Sequence, residues 1–467
     1  MTIQQHTASA VSSITTDIAG GSSAAAPAPH APELVQGTFV DLAGVTRAKN
    51  VPARRREVFA KNGLGAPKVW VVFNADNNFA ENDTFNVTGD LRLRLDTAAL
   101  RHLDEHIVWG PTNLANQDGT PSEYDPRTTL AKVEERAEQA GYSAQFGFEF
   151  EFLLLPDEIA DEKRPDIFSR PWLGYGAQPF IEQDAFFADL TVAADAAGIE
   201  LEQLHTEWGT RQYEVSVAPD TPVAAADKAV LFKLLVKRTA ARHGLKAVFS
   251  PKPFPDQAGS GGHIHFSLTR LENGEHLFSG GQGVYGLTAE GGHAIAGVQA
   301  HLAELTAILS GSPVSLLRLQ PDTWSGAAIG WGLENREVAI RYAAATLGNP
   351  RGANIEIKTG DAAANPYLAL TGLLSAALDG IEQSQPLFKP TEGIPASFSD
   401  EEKRERGLVP FPNDFDEITR LFGESKATRR WYGDGIVDAV VAIRGLVKAT
   451  YGDTPDDELT YLFRHVW

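Results

Sequence analysis

The sequence predicts a mixed fold of β-strands and amphipathic α-helices. Aromatic and acidic residues alternate strictly over residues 147–153, which is typical of a strand because successive side chains point to opposite faces. Asp125 followed by Pro126 is typical of a helix start, with the aspartate as N-cap, and Gly141 predicts the end of that helix. Further helices are predicted over residues 220–242, 291–309, 365–383 and 436–450.

The first part of the chain carries weaker patterns. Residues 1–33 are rich in Ala, Ser, Thr and Pro and predict a flexible tail, because such a composition buries little apolar surface. They show no basic start followed by an apolar stretch, so no secretion signal is expected. Residues 37–42 and 69–73 are strand-like runs broken by polar turns.

The overall composition describes an acidic globular protein of 467 residues. Hydrophobic residues make up 43 %, which is enough for a sizeable core. The formal net charge of −20 argues against nucleic-acid binding, which needs basic patches. The absence of cysteine excludes disulfides and thiol catalysis, and no apolar run is long enough to span a bilayer, so no membrane partner is expected. These features favour a cytoplasmic enzyme.

Two carboxylates on one strand face form the first candidate site. On the alternating strand, Phe148, Phe150 and Phe152 share the face suited to a core, and Glu149 and Glu151 share the other. Neighbouring carboxylates repel each other unless a cation lies between them, and divalent metals take oxygen ligands. An amphipathic strand with a solvated acidic face is the alternative.

Two further segments carry metal-ligating residue types. Glu207 and Glu214 flank a glycine-containing turn, so a strand–turn–strand arrangement would direct both carboxylates at one place; a hairpin with solvent-facing acids is the alternative. His263, His265 and Ser267 follow a glycine-rich loop on one strand face, with apolar residues opposite. The loop is not a Walker-type phosphate loop, because no Gly-Lys-Ser/Thr follows it.

Four arginines are spread along a fourth segment, residues 318–365. Arginine forms forked hydrogen bonds with phosphate and carboxylate, so several arginines in an acidic chain indicate an anionic ligand. A short alternating strand in this segment also places Glu356 among apolar neighbours. Ion pairs on the surface are the alternative for each arginine. The four arginines are Arg318, Arg336, Arg341 and Arg351.

These four segments, in this order, resemble the glutamine synthetase superfamily over roughly residues 35–467. The motifs are G-x-E-x-E-F, E-x-G-x-x-Q-x-E, P-K-P…G-S-G-x-H-x-H-x-S, N-R-x-x-x-x-R and I-E-x-K…D…N-P-Y. The resemblance implies an α+β fold with a small N-terminal β-grasp domain, residues 34–120, and a catalytic domain, residues 121–467. The catalytic domain would be a curved, largely antiparallel half-barrel sheet with outer helices. The resemblance also implies a homo-oligomer, commonly a dodecamer of two hexameric rings, in which each site is completed by the neighbouring subunit's small domain.

The family reaction forms an amide with ATP. The γ-carboxylate of glutamate takes the γ-phosphoryl group, and a nitrogen nucleophile displaces phosphate from the γ-glutamyl phosphate, while metals and arginines stabilise the charge on the phosphoryl oxygens. Carried over by position, two or three Mg²⁺ or Mn²⁺ ions would be bound by two ligand sets. The sets are Glu151, Glu207 and Glu214 for one metal, and Glu149, His263 and Glu356 for the other.

The resemblance implies roles for further residues. ATP and its phosphates would be bound by His265, Ser267, Arg336, Arg341 and Arg351. The substrates would be bound by Glu151, Gly259, Arg318, Lys358 and Trp324. The catalytic groups would be Arg336, His265 and Asp76.

The sequence departs from the ammonia-using members of the family on the side of the nucleophile. In those members a flap carries a catalytic glutamate; the corresponding segment here is residues 318–326, and Trp324 takes the position of the glutamate. Its ring cannot accept a proton but can pack against an alkyl or aromatic group. Simple packing of the flap is the alternative. Asp76 has the position of the ammonium-site aspartate without the D-G-S-S pattern, so a plain Asx turn is the alternative there. Ala258 replaces an asparagine and Lys358 an arginine that contact glutamate in the family, and lysine lacks the arginine fork.

The sequence therefore predicts a carbon–nitrogen ligase that joins glutamate to a small organic amine, in amine catabolism or detoxification. Trp208 and Trp324 favour an amine with an apolar part over a highly cationic polyamine. A glutamine synthetase that uses ammonia and a non-catalytic ring protein are the alternatives, and the six intact metal-ligand positions argue against the second.

Overall fold

The computed structural model describes residues 32–159 and 171–467. The expected tail, residues 1–33, lies almost entirely outside the described residues. The strands are β1 (Leu34–Val40), β2 (Thr46–Pro52), β3 (Leu64–Pro67), β4 (Asp90–Leu95), β5 (Arg101–His102), β6 (Ile107–Ala115), β7 (Tyr142–Pro156), β8 (Leu201–Thr206), β9 (Gln212–Asp220), β10 (Leu245–Val248), β11 (Gly262–Arg270), β12 (Ala328–Leu333), β13 (Val338–Ala343), β14 (Asn354–Ile357) and β15 (Val409–Pro410). The helices are α1 (Arg56–Asn62), α2 (Pro126–Gln139), α3 (Ala177–Ile181), α4 (Asp184–Ala196), α5 (Pro222–Arg242), α6 (Ala289–Leu309), α7 (Ser315–Arg318), α8 (Pro366–Glu382), α9 (Asp400–Glu405), α10 (Phe415–Glu424), α11 (Lys426–Tyr432), α12 (Asp434–Tyr451) and α13 (Asp456–Phe463).

The first six strands form an N-terminal sheet in the order β2-β1-β6-β4-β3, with β5 paired to β6. Strands β1 and β6 run parallel, and the other pairs of this sheet are antiparallel. The expected strand at residues 37–42 overlaps β1, but the one expected at residues 69–73 is wrong. Lys68–Val72 is a 3-10 helix in which the adjacent Val71 and Val72 are both buried. A short apolar run without alternation does not distinguish a strand from a helical turn.

The remaining strands form a large sheet in the order β15-β12-β13-β14-β11-β7-β9-β8, with β10 paired to β7. Neighbouring strands are antiparallel except β12 and β13. The sheet curves into a half-barrel with helices outside, which confirms the predicted fold class. The five predicted helices are also confirmed, as α2, α5, α6, α8 and α12. No helix within the described ranges is long and apolar enough to cross a membrane.

Packing beneath β7, the longest strand, accounts for its strict alternation. Phe148, Phe150 and Phe152 are buried, and the rings of Phe148 and Phe150 stack with centroids 5.4 Å apart. Phe150 also stacks on Phe232 of α5 at 5.6 Å. Burial of each ring contributes about 1.5–3 kcal/mol, and a slip of one residue would expose all of them. The core therefore fixes which face carries the glutamates between these rings.

Asn365 connects the large sheet's helices to the N-terminal sheet. Its side-chain oxygen accepts from the Leu368 amide at 3.1 Å and so caps α8. Its side-chain amide donates to the carbonyl oxygens of Val40, at 3.2 Å, and Asp41, at 3.1 Å. The proposed domain boundary at residue 120 falls between β6 and α2, and the division of the chain there remains a prediction.

Candidate active site

Strand register places the candidate ligands side by side on the large sheet. Residues opposite each other on antiparallel strands have Cβ atoms about 4.5–5.5 Å apart. Side chains that are far apart in the sequence therefore meet on one face. The cross-strand pairs are Glu151 with Glu214 between β7 and β9, Glu149 with His263 between β7 and β11, and His265 with Glu356 between β11 and β14.

The buried imidazole of His263 contacts four of the predicted metal ligands. Its Nδ1 lies 3.5 Å from Glu149, 3.3 Å from Glu356 and 3.9 Å from Glu214. Its Nε2 lies 3.6 Å from Glu151. Members of both predicted ligand sets therefore surround a single ring.

His265 is oriented by a partner on the next strand. Its Nδ1 lies 2.8 Å from the side-chain oxygen of Asn354, and its Nε2 lies 3.3 Å from Glu149. Because an amide oxygen only accepts, Nδ1 carries a hydrogen and Nε2 is directed into the cluster. Burial opposes protonation of this ring, but Glu149 and Glu356 raise the pKa of His265 to about 9. Asn354 was not predicted as a site residue, although it precedes Glu356 by two positions on β14.

The third histidine of the cluster, His205, was missed by the sequence analysis. Its Nε2 lies 3.0 Å from Glu214, and this hydrogen bond raises the pKa of His205 to about 9. Burial and the neighbouring carboxylates raise the pKa of Glu207 to about 7, and the Tyr175 hydroxyl donates to Glu207 at 3.0 Å. His205 precedes Glu207 by two residues, a spacing that puts both side chains on one face of a strand, and this could have identified the histidine. Nothing in the sequence marks Tyr175.

The donor set of this cluster fits divalent metal ions. Within the described residues, three groups of side chains each place their ligand atoms within 4.8 Å of one another. Among the described residues, the buried Nδ1 of His263 and Nε2 of His265 have no hydrogen-bond partner, which leaves the first free for an ion and the second for an ion or an anionic ligand. Carboxylates with a single imidazole suit Mg²⁺ or Mn²⁺. The groups are Glu149, Glu214 and His263; Glu149, His265 and Glu356; and His205, Glu207 and Glu214.

Glu151 links the cluster to the glycine-rich loop. Its Oε2 accepts from the side chain of Gln212, at 2.8 Å, and from the Gly261 amide, at 2.9 Å. Gly261 has no room for a side chain, because a Cβ there would lie 2.5 Å from Nε2 of His263 and 2.9 Å from both Glu151 and Arg318. The loop backbone can approach these three groups only as glycine.

Arg318 is buried beneath the same loop. Its guanidinium donates to the carbonyl oxygens of Lys358, at 2.8 Å, and Thr359, at 3.3 Å, and its Nη2 lies 3.5 Å from His263. A Cβ on Gly259 would lie 2.7 Å from the Arg318 side chain, so this glycine also permits a close approach. Gly259 and Arg318, both predicted to bind substrate, are thus in contact with each other.

Two cations are bound to the carboxylate of Glu356. Nη1 of Arg341 lies 2.7 Å from Oε2, and Nζ of Lys358 lies 3.1 Å from Oε1. Burial opposes ionisation, but Lys358 and the two histidines hold the pKa of Glu356 well below its usual range. Lys358 was predicted to bind substrate, and in this structure its ammonium group is bound to a predicted metal ligand.

The remaining phosphate-binding candidates are half-buried or exposed. Ser267 is half-buried on β11, on the same strand face as His265. Arg336 is exposed in the turn between β12 and β13. Arg351 is also exposed, and its guanidinium donates to the carbonyl oxygen of Gly274 at 3.2 Å. The roles of Arg336 and Arg351 in phosphate binding stay predictions.

Asp76 and Trp324 have surroundings of their own. The carboxylate of Asp76 accepts from the Asn78 amide at 2.9 Å, which is an Asx turn, and from the Tyr451 hydroxyl at 2.6 Å. Trp324 is 61 % exposed, and its φ of 55° is unusual for a residue other than glycine. Its amide donates to Glu337 at 3.2 Å.

Comparison with known proteins agrees with this arrangement. Residues 123–455 match the glutamine synthetase catalytic domain. A γ-glutamylpolyamine synthetase of Streptomyces coelicolor is 36 % identical over 411 residues, which cover 87 % of each chain. A glutamate–isopropylamine ligase of a Pseudomonas species is 32 % identical over 412 residues, which cover 84 % of this chain and 86 % of the relative.

A solved structure described as a novel glutamine synthase homologue has the same fold. It superposes with a TM-score of 0.82 at 29 % identity, and the match covers 94 % of this chain and 99 % of the other. The family match and the relatives both span most of the chain, and the relatives are named as synthetases and ligases. The chain belongs to the glutamine synthetase family, and it is a carbon–nitrogen ligase.

Proposed function

We propose that this protein uses ATP to join the γ-carboxylate of glutamate to an organic amine. The observation that carries the proposal is the cluster of carboxylates and imidazoles on one face of the large sheet, beside the altered flap at Trp324. The similarity to ligases named for polyamines and for isopropylamine supports an amine rather than ammonia as nucleophile. We place the reaction in the cytoplasm, where ATP and glutamate are available.

The cluster supplies the groups that would bind the metal ions. Bound Mg²⁺ or Mn²⁺ would offset the negative charge that builds on the transferring phosphoryl oxygens. His205 lies in a group that could add a ring nitrogen. The side chains proposed to bind two or three ions are Glu149, Glu151, Glu207, Glu214, His263 and Glu356.

In the proposed reaction the glutamate carboxylate attacks the γ-phosphorus of ATP, and ADP leaves. The amine nitrogen then attacks the γ-glutamyl phosphate, phosphate leaves, and the nitrogen loses a proton. His265, whose ring is oriented by Asn354, would donate a hydrogen bond from Nε2 to a phosphoryl oxygen. Arg318 would hold a carboxylate of glutamate through its forked donors. The other phosphate-binding groups are proposed to be Ser267, Arg336, Arg341 and Arg351.

The amine would bind against apolar rings beside the cluster. Trp208 is 75 % exposed and directly follows Glu207, and Trp324 on the flap is 61 % exposed. Such rings can hold the apolar part of an amine. Asp76 accepts a hydrogen bond from Tyr451 of its own chain. We propose that it accepts the amine proton in the site of a neighbouring subunit, in a dodecamer of two hexameric rings.

Substrate-dependent phosphate release tests this function. Full-length protein with Mg²⁺, ATP and glutamate would be given ammonium, methylamine, ethanolamine, putrescine, isopropylamine or aniline, and products would be identified by mass. We expect a γ-glutamyl amide with at least one amine that has an apolar part, and little product with ammonium. Release with ammonium alone would identify a glutamine synthetase with a divergent flap. No release with any nucleophile would contradict catalysis with glutamate.

A further inference from the structure

Lys358 is a buried cation to which the proposed reaction gives no role. Its side chain is 3 % exposed, and the carboxylate of Glu356 beside it is 1 % exposed. The two residues are two positions apart, so they share one strand face, and Nζ lies 3.1 Å from Oε1. A lysine ammonium has no acceptor function and is rarely buried without a paired anion.

The surroundings of Lys358 leave its ammonium group little access to solvent. Its amide donates to the carbonyl oxygen of Ala339 at 3.0 Å, and its own carbonyl accepts from Arg318. Gly326, at the end of the flap, packs so closely that a Cβ there would lie 2.9 Å from the Cβ of Lys358. The backbone and the flap thus hold this side chain against Glu356.

We propose that Lys358 is a positioning residue for Glu356 rather than a binding group for glutamate, and that its charge weakens divalent-metal binding at Glu356. This inference rests on the proposed function, in which Glu356 is a metal ligand. An ammonium group on the carboxylate oxygen competes with an ion for that oxygen and repels it. With Arg341 on Oε2 as well, both oxygens of Glu356 carry cations.

The test compares charge removal with charge conservation at this position. Metal-depleted, full-length protein would be titrated with Mn²⁺ by calorimetry and by electron paramagnetic resonance of the free ion. The variants are Lys358→Met and Lys358→Gln, which remove the charge, and Lys358→Arg, which keeps it. Lys389→Met is the matched control, because Lys389 is an exposed lysine paired with an exposed glutamate. Circular dichroism establishes whether each variant is folded. If Lys358→Met does not fold, Lys358→Gln still tests the removal of the charge.

We expect both neutral variants to bind Mn²⁺ about tenfold more tightly or better, because a like charge beside the ligand is removed. Lys358→Arg and Lys389→Met are expected to stay within about twofold of the wild type. At saturating Mn²⁺, the KM for glutamate should change less than about threefold in the neutral variants. Unchanged or weaker Mn²⁺ binding overturns the inference, as does a glutamate KM raised about tenfold or more. Tighter Mn²⁺ binding in a protein that ligates no amine would sustain the role of Lys358 and refute the proposed function.

Discussion

Replacement of Gly261 by alanine will displace three side chains of the candidate site at once. The added Cβ would lie 2.5 Å from Nε2 of His263, and ordinary contacts begin at 3.4 Å, so about 0.9 Å of movement is needed. Glu151 and Arg318, at 2.9 Å, must each move by about 0.5 Å. All three side chains are largely buried and held by hydrogen bonds or close contacts, so they cannot move independently.

The expected loss is mainly in catalysis. A misplacement of about 1 Å in a catalytic arrangement can lower the rate about 100-fold, and overpacking costs about 1–3 kcal/mol of stability. We therefore expect kcat/KM from phosphate release to fall about 100-fold, and urea unfolding to show the smaller stability loss. Gly147→Ala is the matched control. Its Cβ would lie on the face of β7 that carries Glu149 and Glu151, but no atom would be nearer to it than 3.5 Å. If Gly261→Ala keeps kcat/KM within about threefold of the control, the close packing of this loop has no catalytic consequence.

Three further predictions concern the flap, the ion pairs of Asp379 and the metal ions. Trp324→Glu should raise the rate with ammonium relative to the preferred amine by about tenfold, since a carboxylate can hold ammonium by charge; a lost amine reaction without that gain would leave Trp324 a packing residue. Asp379→Asn should cost about 1–3 kcal/mol in urea unfolding at pH 7, because Asp379 accepts from Arg136, Arg430 and Trp431. Although burial opposes ionisation, these partners hold the pKa of Asp379 below its ordinary value of 3.8. The difference in free energy of unfolding between the wild type and Asp379→Asn should therefore persist above pH 3.8 and shrink below it. A difference unchanged at pH 3 would contradict the ion pair. Chelation with EDTA should abolish phosphate release and lower the Tm, and added Mn²⁺ should restore both. The variant His263→Ala should bind Mn²⁺ about tenfold or more weakly than the wild type. Equal Mn²⁺ affinity in the two proteins would remove His263 from the ligand set.

The elements that sequence reasoning predicted well are those with a strong local pattern. The alternation around Phe150 identified β7 and its acidic face, and Asp125 with Pro126 identified the start of α2. Each segment on its own suggested metal-ligating residue types, and the family resemblance then nominated carboxylates from three strands as members of one site. Their assembly into a single cluster was expected only through family resemblance, because cross-strand register is a property of the folded sheet.

The rest of the site depends on contacts that leave no local signal. Tyr175 reaches Glu207 from outside the sheet, and its sequence neighbours show no pattern that points there. The ion pair of Lys358 with Glu356 follows from burial, which the spacing of two alone did not reveal. The exposure of Arg336 and Arg351 is likewise a property of the folded chain, which a matching motif does not state.

The hydrogen bonds of Asn365 make the two sides of this contact unequal in their tolerance of sequence change. Its partners across the junction are main-chain oxygens, at Val40 and Asp41, which nearly any residue can present. Position 365 itself must supply an acceptor for α8 and two donors for the N-terminal sheet, and aspartate could provide only the first. Substitution at Val40 or Asp41 therefore leaves these two bonds in place as long as the backbone path is kept, whereas substitution at position 365 removes them. A chimera that exchanges the N-terminal sheet should keep the contact to Asn365 if it keeps that backbone path, but it must also supply the carboxylates of Asp96, Asp104 and Asp76, which are bound by Arg127, Arg238 and Tyr451.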